Sequence, residues 1–213
     1  MSEADEDERP KIIRLCVDLN VWIRYLLGVR RGVVRASGSS TILNAVKTGQ
    51  SNAGPVQLVI SHTMLSRLED VLVRLQFQPG DASAFCSLLR AFSDRGPHGV
   101  PPYIILGGGT SPSAESRMPM YDAYNPLSIP SRSDDEDGRV LDTAIAGRAD
   151  ILATYNFDDF QTPSTDLLER GQLQIYRAAH HSIMIAHAQR VAEFMTTGQY
   201  PSPRSRPGGH RKK

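Results

Sequence analysis

Short β-prone apolar runs alternate along the chain with stretches whose apolar residues recur every three or four positions, which is the pattern of strands alternating with amphipathic helices. Ile12–Asp18 reads as a strand, and Asn20–Leu27 as the helix after it, with Val21, Trp22, Tyr25 and Leu26 at helical spacing. A loop rich in Gly, Arg and Ser at 28–39 leads to a helix at Thr41–Lys47, stopped by Gly49 and the breaker cluster 51–55. Gln57–Ser61 predicts a second strand. The helix beginning near His62 carries Met64, Leu65, Leu68, Val71, Leu72 and Leu75 on one stripe and ends before Pro79 and Gly80. Asp81–Ser93 predicts a further amphipathic helix, and Tyr103–Leu106 a third strand. Residues 107–135 lack periodicity and far exceed the ~4 to 6 residues of an ordinary connection, so they read as an insertion. Arg139–Arg148 reads as a helix, Ile151–Thr154 and Leu173–Tyr176 as the fourth and fifth strands, and Ser182–Met195 as a closing helix. The fold class is therefore α/β, with a parallel sheet of about five strands covered on both faces. In such sheets ligands collect at the carboxyl ends of the strands.

Composition sharpens this picture at the chain's ends. With 213 residues the chain is sized for one domain at roughly 100 to 200 residues each. Lys and Arg total 24 against 23 Asp and Glu, and the net charge of +1 gives no general affinity for nucleic acid. The charges are uneven, however. Residues 1–10 form an acidic arm and 199–213 a basic tail rich in Pro, Gly and Ser, both expected to be disordered, around a folded body at 11–198. Apolar runs fall short of the ~18 residues of a membrane span, and no secretory pattern follows Met1, so a soluble, cytoplasmic protein with no membrane partner is expected. Cys16 and Cys86 suit neither a disulfide framework nor a zinc site and read as small core residues.

Candidate chemistry gathers where the strands end. Asp18 closes the first strand, Ser133–Gly138 (SDDEDG) stacks four acids before a helix, and Asn156, Asp158 and Asp159 follow the fourth strand. Single acids before a helix often serve only as caps, each contributing about 0.3 to 1 kcal/mol. Three segments delivering carboxylates to one rim are another matter, because clustered carboxylates need protonation or a cation. Hard oxygen donors of this kind suit Mg²⁺ or Mn²⁺ and phosphate-bearing substrates, and phosphodiester hydrolysis is the natural use.

These residues resemble a known family, the PIN-domain nucleases, especially the toxin type of VapBC toxin–antitoxin systems. The most specific stretch is Asp137–Phe160, DGRVLDTAIAGRADILATYNFDDF, similar to the family's acid, helix, Ala-rich turn, strand, Thr-x-Asn and Asp-Phe ending. Asp18 and Asn20 in VDLNVW resemble the first acid and its polar neighbour, and Ser61–Leu72 the second helix. The resemblance implies a three-layer α/β/α sandwich and an endoribonuclease using Mg²⁺ or Mn²⁺. It implies an RNA substrate, an antitoxin protein as partner and a homodimer. Asp18, Asp137 and Asp159 would bind metal, with Asn20, Thr154, Asn156 and Asp158 as polar supports and Asp159 preferred over Asp158 because it precedes Phe160.

One position departs from the family. The usual spacing from Ser61 puts Arg67 where a glutamate is expected, with Glu69 two residues on and, at 100° per residue, far around the helix. Glu69 and Asp70 remain candidate catalytic acids, with Asp135 or Glu136 as loop-borne alternatives, and Arg67 a candidate phosphate contact through its donor fork. Two readings stay open: a metal-dependent endoribonuclease, or a degenerate PIN-like protein that binds RNA or a protein partner without cutting. Arg30, Arg31 and Arg35 could guide RNA toward the rim, whereas Trp22 and Tyr25 read as core.

Overall fold

A computed structural model describes residues 11–33, 37–97, 104–105 and 132–204, of which 104–105 and 132–138 are described as backbone only. The acidic arm at 1–10, Arg35, the insertion's residues 107–131 and the tail from 205 onward lie outside the described residues.

The chain opens with β1 (Ile13–Val17) and α1 (Leu19–Arg30), followed by α2 (Gly38–Thr48), β2 (Gln50–Ser51), β3 (Gly54–Ser61), α3 (His62–Arg74) and α4 (Pro79–Arg95). Next come β4 (Ile104–Ile105), α5 (Arg132–Ala146), β5 (Ile151–Thr154) and a 3-10 turn at Asp158–Phe160. The last elements are β6 (Thr165–Glu169), β7 (Leu173–Arg177), β8 (Ser182–His187) and α6 (Ala188–Thr197). The strands join in the order β2-β3-β1-β5-β8-β7-β6, and β4 pairs with β3 off this path. β4, β3, β1, β5 and β8 are mutually parallel. Each of β3, β5 and β8 is buried along nearly its whole length, as expected when helices cover both faces. Among the described residues, no helix is long and apolar enough to cross a membrane.

The sheet corrects the expectation of an all-parallel one. β7 is the predicted fifth strand, but it runs antiparallel to β8, and β6 pairs antiparallel to β7 beyond it. The predicted helix at 182–195 is half strand: Ser182–His187 is β8, and only Ala188 onward is helical. A short apolar run such as Ile183–Ile185 satisfies helix and buried strand equally, and here pairing on both sides decides for strand. The acids of Ser133–Gly138 also do not precede a helix, since α5 begins at Arg132 and contains them. Acidic residues in a first turn favour helix by complementing its positive end, which is why the helix extends back through them.

Order within the sheet reverses at its centre. From β1 the chain crosses to β3 and outward to β4, then returns to the other flank of β1 as β5, so a crevice opens at the carboxyl ends of β1 and β5. Parallel pairing of Val17 with Ala153 sets Asp18 beside Thr154 at that crevice. α5 runs from the carboxyl side toward the opposite edge, where the Asp150 amide donates to the Arg14 carbonyl at 2.8 Å, so its N-terminal half lies on the crevice side. Trp22 is fully buried and Tyr25 stacks on Phe85 with centroids 6.4 Å apart, so both aromatics of α1 belong to packing. Cys16 and Cys86 are free thiols in the core.

α2 and α6 cross in close contact at Gly38. A Cβ there would lie 3.0 Å from the Ala188 carbonyl carbon and oxygen and from the Gln189 nitrogen, backbone atoms that cannot rotate aside. Gly38→Ala is expected to lower unfolding stability by roughly 1–3 kcal/mol through overpacking. Gly80→Ala on α4, where a Cβ meets nothing within 4 Å, should leave it level or raise it. Denaturant unfolding of both variants checks this, and equal effects would remove the close crossing as the cause.

Candidate active site

Asp18 ends β1 and caps α1 from extended backbone, which turns its carboxylate toward the crevice rather than the core. Its amide is held by the Ala153 carbonyl at 3.0 Å. The side chain is only 5% exposed. Oδ2 accepts hydrogen bonds from Thr154 Oγ1 at 2.7 Å and from Asn20 Nδ2 at 2.6 Å. Asn20 also donates to Thr154 Oγ1 at 3.2 Å, while its Oδ1 accepts the Tyr155 amide at 3.2 Å. One asparagine thus ties the first helix, the first strand end and the fifth strand end together. Ser61, at the matching end of β3, accepts from Thr143 of α5 at 3.0 Å and from the Met64 amide at 3.2 Å.

Burial pushes the Asp18 acid up to about 6 from an ordinary 3.8. The Thr154 hydroxyl pulls it part of the way back, as do the amides of Leu19 and Asn20, which face the carboxylate without closing a capping bond. The charge of Asp159 pushes it up again. Among the described residues no positive side chain figures in these influences, and burial and a neighbouring carboxylate both favour the protonated form.

Asp159 reaches this neighbourhood through a short relay. Thr154 Oγ1 accepts the Asn156 amide at 2.9 Å, and Asn156 Nδ2 donates to Asp159 Oδ2 from the turn that follows β5. Asp159 is half-buried, with Phe160 locked beneath it at 0% exposure. Asp158 is exposed and is engaged by Gln161 Nε2 at 3.2 Å. The structure therefore brings together Asp18, Asn20, Thr154, Asn156 and Asp159, and turns Asp158 outward.

Other predicted residues lie elsewhere. Asp137, Asp135 and Glu136 fall within α5 on the crevice side, and their side chains lie outside the described residues. Glu69 is on the face of α3 toward α4, where its charge adds to burial in raising the Cys86 thiol, and it is not among the groups acting on Asp18. Arg67 is half-buried on α3. Arg30 is committed to structure, donating to the Leu75 carbonyl at 2.8 Å and covering the Phe77 ring at 4.6 Å. Sequence reasoning missed Asp142, an acid only 5% exposed in α5. The one signal for it was its interruption of the apolar run Val140–Leu141. Among the described residues no group of three or more His, Cys, Asp or Glu side chains is placed to hold a metal. Asp18 and Asp159 nonetheless form two hard-oxygen donors whose charges act on each other, and this donor chemistry fits a divalent ion.

A family model for the PIN domain matches residues 14–158. The chain belongs to the PIN domain family, whose members are generally nucleases and usually bind a divalent metal. No curated protein and no solved structure matches the chain.

The raised acid gives a signed pH dependence. The folded chain keeps a proton on Asp18 up to about pH 6 while the unfolded chain releases it near 3.8, so the folded state binds more protons between these values. Stability then falls as pH rises through that window, by on the order of 3 kcal/mol, and stays lower above it. In metal-free buffer, Asp18→Asn should unfold at a higher temperature than the wild type near pH 8, with the gap closing toward about pH 4. A gap independent of pH would mean that Asp18 is not a strained buried acid.

Proposed function

We propose that the protein is a metal-dependent endoribonuclease that hydrolyses RNA phosphodiester bonds, with Asp18, Asp159 and Asp137 as the acids that hold Mg²⁺ or Mn²⁺. The observation that carries this reading is the buried Asp18 carboxylate, held by Thr154 and Asn20 at the switch point of the sheet and pushed up by the charge of Asp159. A divalent ion at such carboxylates supplies hydroxide near neutral pH and stabilises the charge that develops on phosphorus.

The chain's own groups would act as follows. Thr154 and Asn20 each donate to Asp18 Oδ2, which fixes the plane of the carboxylate and favours its charged form. Asn156 orients Asp159 in the same way from the other side. Asp18, being buried, offers its charge to an ion in surroundings with little competing water, where electrostatic interactions are strongest. Arg67 stands where the family has a glutamate, so the second helix brings a positive group that suits a phosphate oxygen better than a metal. The same substitution is what favours the alternative, a degenerate site that binds RNA without cutting.

Purified protein with Mn²⁺ is expected to cleave single-stranded RNA, and chelation to stop it. Asp18→Asn and Asp159→Asn should each lose more than the ~10–100-fold typical of removing a residue that merely supports a metal ligand. Mn²⁺ at 100 times its dissociation constant should stabilise the wild type by about 2.7 kcal/mol and Asp18→Asn far less. RNA binding without cleavage or Mn²⁺ stabilisation would select the degenerate reading, and neither binding nor cleavage would end both. The narrower toxin reading, with an antitoxin partner, adds one expectation. Cells expressing the wild-type chain stop growing, and those expressing Asp18→Asn do not.

A further inference from the structure

Beside the acids lies a second feature that the reading above does not use. Arg24 follows Asn20 by one turn of α1, a separation of about 5–6 Å between Cβ atoms, so the two share a face of the helix. Its guanidinium lies 4.3 Å over the centroid of the Tyr155 ring. It makes no hydrogen bond or ion pair among the described residues, which leaves its planar donor fork unengaged. The stack is itself braced: Ser39 Oγ and the Tyr155 hydroxyl lie 3.0 Å apart, and the His187 ring meets Tyr155 edge-on at 5.0 Å. Tyr155 is thus occupied on one face by Arg24 and along its flank by His187, so it serves to aim the arginine rather than to receive a base. The same tyrosine donates its amide to Asn20, which holds Asp18.

Arg24 borders a cavity of about 340 Å³, lined also by Tyr155, Ser37, Ser39, Gly38 and Gln189. Among the described residues this lining holds no carboxylate: its polar groups are hydroxyls, an amide and the guanidinium, and Val29 and Val33 supply apolar wall. The capping box of α2 already satisfies Ser37 and Ser40 against each other, so the helix end is not the attraction. What remains is a positive fork, stacked on Tyr155, at the mouth of a largely apolar hollow that Tyr155 and Asn20 link to the Asp18 carboxylate. Burial first and then the charge of Arg24 hold His187 below its ordinary range.

We infer that this cavity is a substrate subsite in which Arg24, aimed by Tyr155, takes a phosphate of the RNA strand flanking the bond to be cut. The inference rests on the endoribonuclease reading. A bidentate arginine matches phosphate oxygens in geometry as well as charge, and its one-turn offset from Asn20 sets the contact along the strand from the acids rather than at the reacting phosphate.

The test uses the full chain carrying Asp18→Asn, so that RNA is held but not cut, with Mn²⁺ present. Binding of a fluorescent single-stranded RNA oligonucleotide is followed by anisotropy across a salt series. Adding Arg24→Gln should weaken binding roughly tenfold and reduce the slope of log affinity against log salt by about 0.7, the value for one phosphate contact on a single strand. Arg24→Lys should keep most of the salt slope while losing affinity, since it retains charge but not the fork. Unchanged affinity and slope in Arg24→Gln, in a chain that still binds RNA and whose Asp18 parent cleaves it, would overturn the subsite alone. A parent that neither binds nor cleaves RNA would overturn the endoribonuclease reading and the subsite with it.

Discussion

Burial of one carboxylate at the end of the central strand organises this structure. Asp18 cannot move into water without pulling β1 from its pairing with β5, because its own amide is bonded to Ala153. An ionised carboxylate so placed must collect hydrogen bonds or hold its proton. Thr154 and Asn20 supply two, each a bond to a charged acceptor of the kind that contributes about 1.5–3 kcal/mol. The remaining elevation of the acid measures how incompletely the protein alone satisfies it. A carboxylate so placed costs stability wherever it is ionised and uncompensated, and a cation bound there would restore it.

The same constraint explains the arrangement of the polar residues after β5. Thr154 is fully buried, and its hydroxyl acts both as donor to Asp18 and as acceptor for the Asn156 amide. That second bond starts the turn that carries Asn156 and Asp159 back over the strand end. Phe160, without exposure, anchors the far side of the turn, so Asp159 is positioned by a hydrophobic residue one place along the chain. The choice between Asp158 and Asp159 is thereby a matter of packing. Whichever acid precedes the buried phenylalanine faces inward, and its neighbour faces solvent.

Much of this was legible in the sequence because local pattern and tertiary role coincide. In β1 and α1 a single apolar run is followed by helical spacing, with an acid between them. The Asp-Phe pair signals a packed aromatic beside an acid. Legibility failed where local pattern is degenerate: Ser182–His187 and Ala188–Thr197 form one apolar stretch that only sheet pairing divides. It failed again at 133–138, where acids that look like a loop complement the positive end of α5. The Arg24–Tyr155 stack was invisible for a different reason. It joins residues from α1 and the end of β5, and no spacing in the chain announces a contact of that range.

The family match ends within the candidate site. The matched residues, 14–158, include Asp18, Thr154 and Asn156, yet β8 and α6 lie beyond them. Those later elements are not an appendage. β8 is buried against β5, α6 packs on α2 at Gly38, and His187 and Gln189 stand beside Tyr155. The hollow next to the acids therefore takes one wall from a part of the chain outside the family pattern, while its arginine and tyrosine come from within it. Asp159 also lies one residue beyond the match, and the Tyr155 amide ties the hollow to the acids through its hydrogen bond to Asn20. His187, the last residue of β8, pairs in register with Thr154 of β5 and meets Tyr155 edge-on, so a change in α6 that shifts it reaches Asp18 through Thr154 as well as through the tyrosine.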